Sequence, residues 1–268
     1  MPIYPSLIAF IFGTLVGSFL NVVAIRYNTG SSINGRSKCM TCGKKLSWYE
    51  LIPLFSFLAQ KGTCRGCKSK ISWQYPLVEF IAGAIFVLLF IQYPPTSIVE
   101  SVQTIMHIVM ACMLLLVTVY DIKHKIIPDH FVYTFNIFAF ALLFFNLDTW
   151  WQIPTFNQVL AGPIIAMPFL VLWLISRGEW MGLGDGKLAF GIGWLLGIAG
   201  GVNALILAFW IGAAVSIIWI FIAFRKFKPK MEIPFGPYLI LGMYIVLLFG
   251  VKIIDFEVLK GIIGSLIN

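Results

Sequence analysis

The chain has 268 residues, 60% of them hydrophobic and only 11% charged, with a mean hydropathy of +0.93. That composition excludes an ordinary soluble domain and predicts an all-α polytopic membrane protein. The formal net charge of +8 follows membrane topology and anionic-lipid contact, not nucleic-acid binding.

A spanning helix needs roughly 20 predominantly apolar residues. Eight segments are predicted, at about 6–25, 76–92, 98–119, 130–147, 158–176, 188–203, 204–224 and 236–250. No Arg or Lys precedes the first, so a cleaved signal peptide is not expected. The loop after it is the longest polar stretch and holds nine Lys/Arg, from Arg26 to Lys70. Lys123 and Lys125 follow the third segment, Arg177 and Lys187 the fifth, and Arg225, Lys226, Lys228 and Lys230 the seventh. Thus 17 of the 19 positive charges fall on alternate loops, and only Lys252 and Lys260 remain for the tail. The positive-inside rule makes that side cytoplasmic and puts the N-terminus outside. The tail 251–268 is expected to be an amphipathic interfacial helix.

The first cytoplasmic loop carries Cys39-Met40-Thr41-Cys42 and Cys64-Arg65-Gly66-Cys67, a C-x2-C-x21-C-x2-C pattern. Two knuckles at this separation suit one tetrahedral Zn(II) held by Cys39, Cys42, Cys64 and Cys67. Gly43 and Gly66 are expected to supply the tight turns, and flanking Lys and Arg to favour thiolates. Two disulfides or a redox CxxC pair are the alternatives; a reducing compartment and the lack of a βαβ pattern speak for zinc. All four ligand positions would be filled, so the site reads as structural. Cys112 lies inside an apolar segment and reads as packing.

Only 11 carboxylates occur in the chain. An ionisable residue within a membrane segment costs roughly 3 kcal/mol on insertion scales, which makes it a functional-site hypothesis. Asp121 ends the third segment, facing the unfavourable end of a helix dipole. Asp185 lies in Gly182-Leu183-Gly184-Asp185-Gly186-Lys187. The bare glycines are expected to leave an unwound stretch that a substrate backbone can approach. Asp129, after Pro128, reads instead as a helix cap. Asp148, Asp255 and Glu257 fall on the wrong side. His107, His124 and His130 read as packed or interfacial. Two carboxyls that meet would share one proton, with one activating water and the other stabilising an oxyanion. An interfacial ion pair for Asp121 and an N-cap for Asp185 are the structural alternatives.

The ordered set Gly17-Ser18-Phe19-Leu20-Asn21 with Arg26, the cysteine knuckles, Ile52-Pro53-Leu54-Phe55-Ser56, Tyr75-Pro76-Leu77-Val78-Glu79, Asp121, Ile127-Pro128-Asp129, Gly182 to Leu188 and Glu232 to Pro237 resembles the type IV prepilin peptidases. These are bifunctional leader peptidases and N-methyltransferases of the GxGD membrane aspartic class. The resemblance implies eight transmembrane helices with a small cytoplasmic zinc-knuckle insertion. It divides the chain into a first helix (1–25), a zinc-binding loop linked with methyl transfer (26–75), a peptidase core (76–250) and the tail. It implies Asp121 and Asp185 as the catalytic pair. Asn21, Arg26 and Glu79 would belong to the methyltransferase site, and Gly182, Gly184, Gly186, Lys187, Gly236 and Pro237 would lie beside substrate. Zn(II) would be structural and S-adenosylmethionine the methyl donor. The partners implied are prepilins and pseudopilins of pilus, secretion or competence systems, with membrane lipids and no nucleic acid. Cleavage would fall at the cytoplasmic face of the bacterial inner membrane, after the glycine that ends a short basic leader.

Met40, Leu51, Phe57, Gly186 and Tyr27-Asn28 depart from the family pattern. None touches the Asp pair, but several bear on methylation, so a peptidase without methyltransferase activity is the nearest alternative. A Glu79 salt bridge to the basic loop is the structural alternative there. A proton-coupled transporter would show inverted repeats and midplane carboxylates, and neither is evident. A zinc-bearing scaffold would leave the GxGD glycines unexplained.

Overall fold

The computed structural model describes residues 3–29, 32, 35–147, 149–222, 233–256 and 258. Asp148, Glu232, Glu257, Lys260, the basic cluster Arg225 to Lys230 and most of the predicted tail helix lie outside the described residues. Among the described residues all regular structure is helical, apart from two isolated bridges in the cysteine loop. The elements are α1 (Ile3–Arg26), a 3-10 turn (Trp48–Leu51), α2 (Phe55–Ala59), α3 (Gln74–Gln92), α4 (Ile98–His124), α5 (Asp129–Leu142), α6 (Phe156–Ser176), α7 (Leu183–Ile222) and α8 (Gly236–Phe249). The 3-10 turn and α2 interrupt a loop for which no helix was expected.

Five of these helices, α1, α3, α4, α6 and α7, are long and apolar enough to cross a membrane, and the chain is a multi-pass membrane protein. From Tyr4 to Phe19, α1 presents large apolar side chains outward, among them Ile8, Phe12 and Leu15, a surface that only lipid or another apolar helix solvates well. α5 and α8 have 14 residues each, about 21 Å of helix, against roughly 30 Å of hydrocarbon.

The chain divides into two compact units, Met1–Tyr120 and Asp121–Asn268. In the first, α1 lies on α3 across small residues. A β-carbon at Gly13 would sit 2.8 Å from the Ala82 carbonyl oxygen, and one at Gly17 would sit 2.8 Å from the Ala82 β-carbon. Such close backbone approach is how helices gain dispersion energy where lipid removes the usual hydrophobic driving force.

In the second unit α7 is two helices joined at Gly197, whose φ of 70° and ψ of −179° are non-helical. Their neighbours on α6 show that the chain reverses there. β-carbons at Gly186 and Gly193 would meet Phe169 and Ala161 respectively, so residue order runs against α6. Beyond Gly197, Gly201 faces Ile165 and Phe209 stacks on Phe169, with ring centroids 6.4 Å apart, so the order now follows α6. The break expected near residue 203 therefore lies at Gly197. Hydropathy marks no loop at Gly197, and only the backbone conformation reveals the turn. Asn203 does another job. Its Oδ1 accepts the N–H groups of Ile253 and Ile254 at 2.7 and 2.8 Å, holding the segment after α8.

Candidate active site

Asp121 occupies the last turn of α4 and Asp185 the first turn of α7. Their helix-end settings are opposite: α4 presents its negative dipole end to Asp121, and α7 its positive end to Asp185. Both are buried, at 4% and 8% relative exposure. The charge on Asp121 acts on Asp185, so the two carboxyls share one electrostatic environment. One oxygen of each, Asp121 Oδ2 and Asp185 Oδ1, is buried without a hydrogen-bond partner among the described residues. Buried polar atoms left this way are uncommon, and a water or a peptide group between the two would satisfy both.

Ile127 gathers the pieces around this pair. A β-carbon at Gly184 would lie 2.8 Å from Ile127 Cβ, and one at Gly236 3.2 Å from Ile127 Cδ1 and 2.7 Å from Asp121 Oδ2. Gly236 begins α8, with Pro237 in its first turn, where proline's missing N–H is harmless. The glycine stretch departs from expectation. It is not unwound: α7 is helical from Leu183, and Gly184 and Gly186 lie within its first turn. Gly184 seats on Ile127, and Gly186 on Leu170 and Phe169 of α6, at 3.3 and 3.4 Å from a built β-carbon. Gly182, just before the helix, stays open, its nearest atom being Asp185 Oδ2 at 3.9 Å.

Asp129 is also corrected. Pro128 takes the cap position, and Asp129 stands in the first turn of α5 without a capping bond. Its Oδ1 instead pairs with Lys187 Nζ at 2.7 Å, while that ammonium lies 5.3 Å from the Tyr133 ring centroid. Asn136 Nδ2 donates to the Lys187 carbonyl at 3.0 Å. Lys187 is thus fixed to α5, on the residue after Gly186.

In the first unit the four cysteine sulfurs lie within 4.8 Å of one another. Cys39 and Cys67 Sγ are 3.8 Å apart, and all five cysteines are free thiols. Tetrahedral Zn–S bonds of about 2.3 Å require S···S separations of about 3.8 Å, whereas a disulfide would hold its sulfurs at about 2.05 Å. The two knuckles repeat one pattern. Cys39 N–H donates to Lys44 O and Gly43 N–H to Cys39 O; Cys64 N–H donates to Ser69 O and Lys68 N–H to Cys64 O. The left-handed position is Gly43 in the first, at φ 71°, but Lys68 in the second, at φ 59°. Gly66 lies within the second knuckle's turn and donates its N–H to Cys64 Sγ at 3.4 Å. The thiols do not ionise alike. The Cys42 N–H, then that of Thr41, lowers Cys39 to about 5. The Lys44 N–H favours ionisation of Cys42, but the Cys67 thiol and local desolvation outweigh it and push Cys42 up to about 11. Four sulfurs this close could all ionise only around a bound cation.

Beside the knuckles is a cavity of about 810 Å3, bordered by α1, the cysteine loop and the start of α3. Arg26 and Glu79 line it; Asn21 does not. Asn21 is buried and held at both ends, donating to the Tyr75 carbonyl at 3.2 Å and accepting from Gln74 Nε2 at 3.5 Å. Glu79 makes no salt bridge to the basic loop among the described residues. Its Oε2 accepts the Leu54 N–H at 2.8 Å. Sequence reasoning missed Glu50, a second buried carboxylate of the lining, which accepts the Ser47 N–H at 2.9 Å and pairs with Lys44 at 3.2 Å. The only signal was Ser47 three residues before Glu50, a capping-box pattern.

Two family models match the chain. The one described as "Bacterial Peptidase A24 N-terminal domain" covers residues 11–93, and the one described as "Type IV leader peptidase family" covers residues 108–217. The chain is 32% identical over 254 residues to the prepilin leader peptidase/N-methyltransferase of Bacillus subtilis (strain 168), covering 94% of this chain and 97% of that protein. It is 31% identical over 281 residues to the protein of the same name from Aeromonas salmonicida (strain A449), covering 92% and 91%. With the Stutzerimonas stutzeri protein of that name it shares 29% identity over 285 residues, covering 94% and 93%. No solved structure matches.

Proposed function

The chain belongs to the type IV leader peptidase family, and from that premise we propose that it is a membrane aspartic endopeptidase that removes prepilin leaders and methylates the amine so exposed. The observation that carries the peptidase half is the pair Asp121 and Asp185: two buried, electrostatically linked carboxyls, each with an oxygen that no described residue satisfies.

The mechanism follows from that pairing. Two close carboxyls in a poorly solvated site hold one proton between them. The charged partner takes a proton from water, and the water oxygen attacks the carbonyl carbon of the leader's terminal glycine. The protonated partner donates a hydrogen bond to the developing oxyanion and then delivers its proton to the departing amine. The pair titrates as a unit, so the two roles belong to the dyad. Gly236 leaves room beside Asp121, and Lys187, tied to Asp129, steadies the first turn of α7 that bears Asp185. Gly182 and Pro237 flank the space in which the substrate backbone would lie.

Cys39, Cys42, Cys64 and Cys67 would hold one Zn(II), whose role with four thiolates and no open position is structural. S-adenosylmethionine, when bound, supplies an activated methyl group for the new N-terminal amine. Substrates are prepilins and pseudopilins that present a short basic leader at the cytoplasmic face. The Lys and Arg distribution supports an orientation in the bacterial inner membrane with eight passes and the N-terminus outside.

Purified protein in detergent, given a prepilin and methyl-labelled S-adenosylmethionine, tests the whole reading. The expected products are the shortened pilin and label on its N-terminal residue. Cleavage without label removes the methyltransferase half, and an intact prepilin removes the peptidase half.

A further inference from the structure

Resting on the methyltransferase half of that reading, we infer that the 810 Å3 cavity of the first unit binds the methyl donor, with Glu79 as the carboxylate that faces its sulfonium. The volume falls within the range of small-molecule sites, about 300–1,000 Å3. The chemistry of the wall matches each part of a sulfonium nucleoside that also bears an amino-acid group. Phe57 and Tyr75 offer aromatic surface for a purine, Arg26 and Arg36 suit a carboxylate, and Glu79 suits the positive sulfur.

Glu79 stands apart from the other charges of the lining. It is 7% exposed, and no cation pairs with it among the described residues. Glu50, by contrast, is compensated by Lys44. A nearly buried carboxylate held only by neutral donors is costly, and a bound cation is the usual remedy.

The backbone opposite Glu79 points the same way. Leu54 has φ 59° and ψ −53°, and Phe55 N–H donates to Pro53 O at 2.6 Å across it. That is a γ-turn with positive φ at a branched apolar residue, a conformation that persists only when its surroundings enforce it. The turn aims the Leu54 N–H at Glu79 Oε2. One carboxylate oxygen is thereby fixed, and the orientation of the group with it. Ser18, on α1, flanks the same carboxylate. Local strain is maintained at Leu54, and its product is a positioned anion on the wall of a ligand-sized cavity. Cys39 and Cys64 line that cavity as well, which gives the knuckles an architectural role as part of its wall.

The test is direct binding to the full chain in detergent, by equilibrium dialysis, with two probes: S-adenosylmethionine and its uncharged-sulfur product, S-adenosylhomocysteine. Glu79→Gln is expected to weaken the sulfonium probe at least tenfold and the neutral one less than threefold. Ser56→Trp, which puts an indole into the cavity from α2, is expected to weaken both at least tenfold. Both variants are compared as monodisperse, helical protein, so misfolding is separated from loss of binding. Wild-type tightness for S-adenosylmethionine in either variant overturns the site while leaving methylation intact, if the parent protein still transfers label. A parent protein that binds neither probe and transfers no label overturns the site together with the methyltransferase reading.

Discussion

Gly236 stands so close to Asp121 that a β-carbon in its place would lie 2.7 Å from Oδ2. The carboxylate would have to swing away, which disturbs its relation to Asp185. Misplacement of a catalytic group by about 1 Å can cost on the order of a hundredfold in rate. Gly236→Ala is therefore expected to lower kcat/KM for leader removal about 10- to 100-fold while the protein still purifies as a folded monodisperse species. A variant with unchanged kcat/KM would show that Asp121 need not hold its position.

The reversal at Gly197 separates two kinds of glycine. At Gly197 no atom lies within 4 Å of a built β-carbon, so only its φ of +70° opposes a side chain. With ψ at −179° this is a backbone region essentially confined to glycine, so Gly197→Ala should cost about 1–3 kcal/mol. At Gly193 the β-carbon would lie 2.4 Å from the Ala161 carbonyl oxygen of α6, and backbone cannot turn aside. Gly193→Ala should cost at least the 1–3 kcal/mol typical of overpacking. Thermal unfolding in detergent should show both variants destabilised, and an unchanged melting temperature in either would contradict the geometry at that glycine.

Zinc should be present at one ion per chain and fall in a Cys39→Ser/Cys64→Ser variant, by metal analysis. Undiminished zinc would contradict the four-cysteine site. Because Cys39 and Cys64 also line the cavity, chelation should reduce S-adenosylmethionine binding in parallel with zinc loss.

Glu50 gives the cysteine loop an acid limit. The Ser47 N–H, with Lys44 beside it, holds its carboxyl below the ordinary value of 4.5. A lowered folded value means that its stabilisation is fully present above that ordinary value and is lost as pH falls through the lowered one. Hydrogen exchange of residues 44–54 should rise on acidification below pH 4.5, and Glu50→Gln should flatten that rise. An identical profile in the variant would assign the acid response to other groups.

The apolar segments were legible because hydropathy marks them, and each predicted segment overlaps a helix among the described residues. The paired knuckles were legible from spacing. What escaped lies in backbone conformation. Gly197, Gly200 and Gly201 are close together in one apolar run, and nothing in composition marks the first as the turn. Lys68 takes a left-handed position that one would assign to glycine, and nothing in the sequence marks it. The glycines around Asp185 suggested open backbone, but in the fold two of them let α7 seat closely on Ile127 and α6. The Leu54 conformation could not be foreseen, since a branched apolar residue rarely takes it and the partner of its N–H, Glu79, is 25 residues away.

The central claim is that Asp121 and Asp185 act as one catalytic pair. Leader removal from a prepilin by Asp121→Asn and by Asp185→Asn measures it most directly, because each change keeps the side-chain shape and removes the charge. Both variants are expected to lose cleavage by at least a thousandfold, while binding of S-adenosylmethionine in the first unit is retained. Wild-type cleavage by either variant would contradict the account.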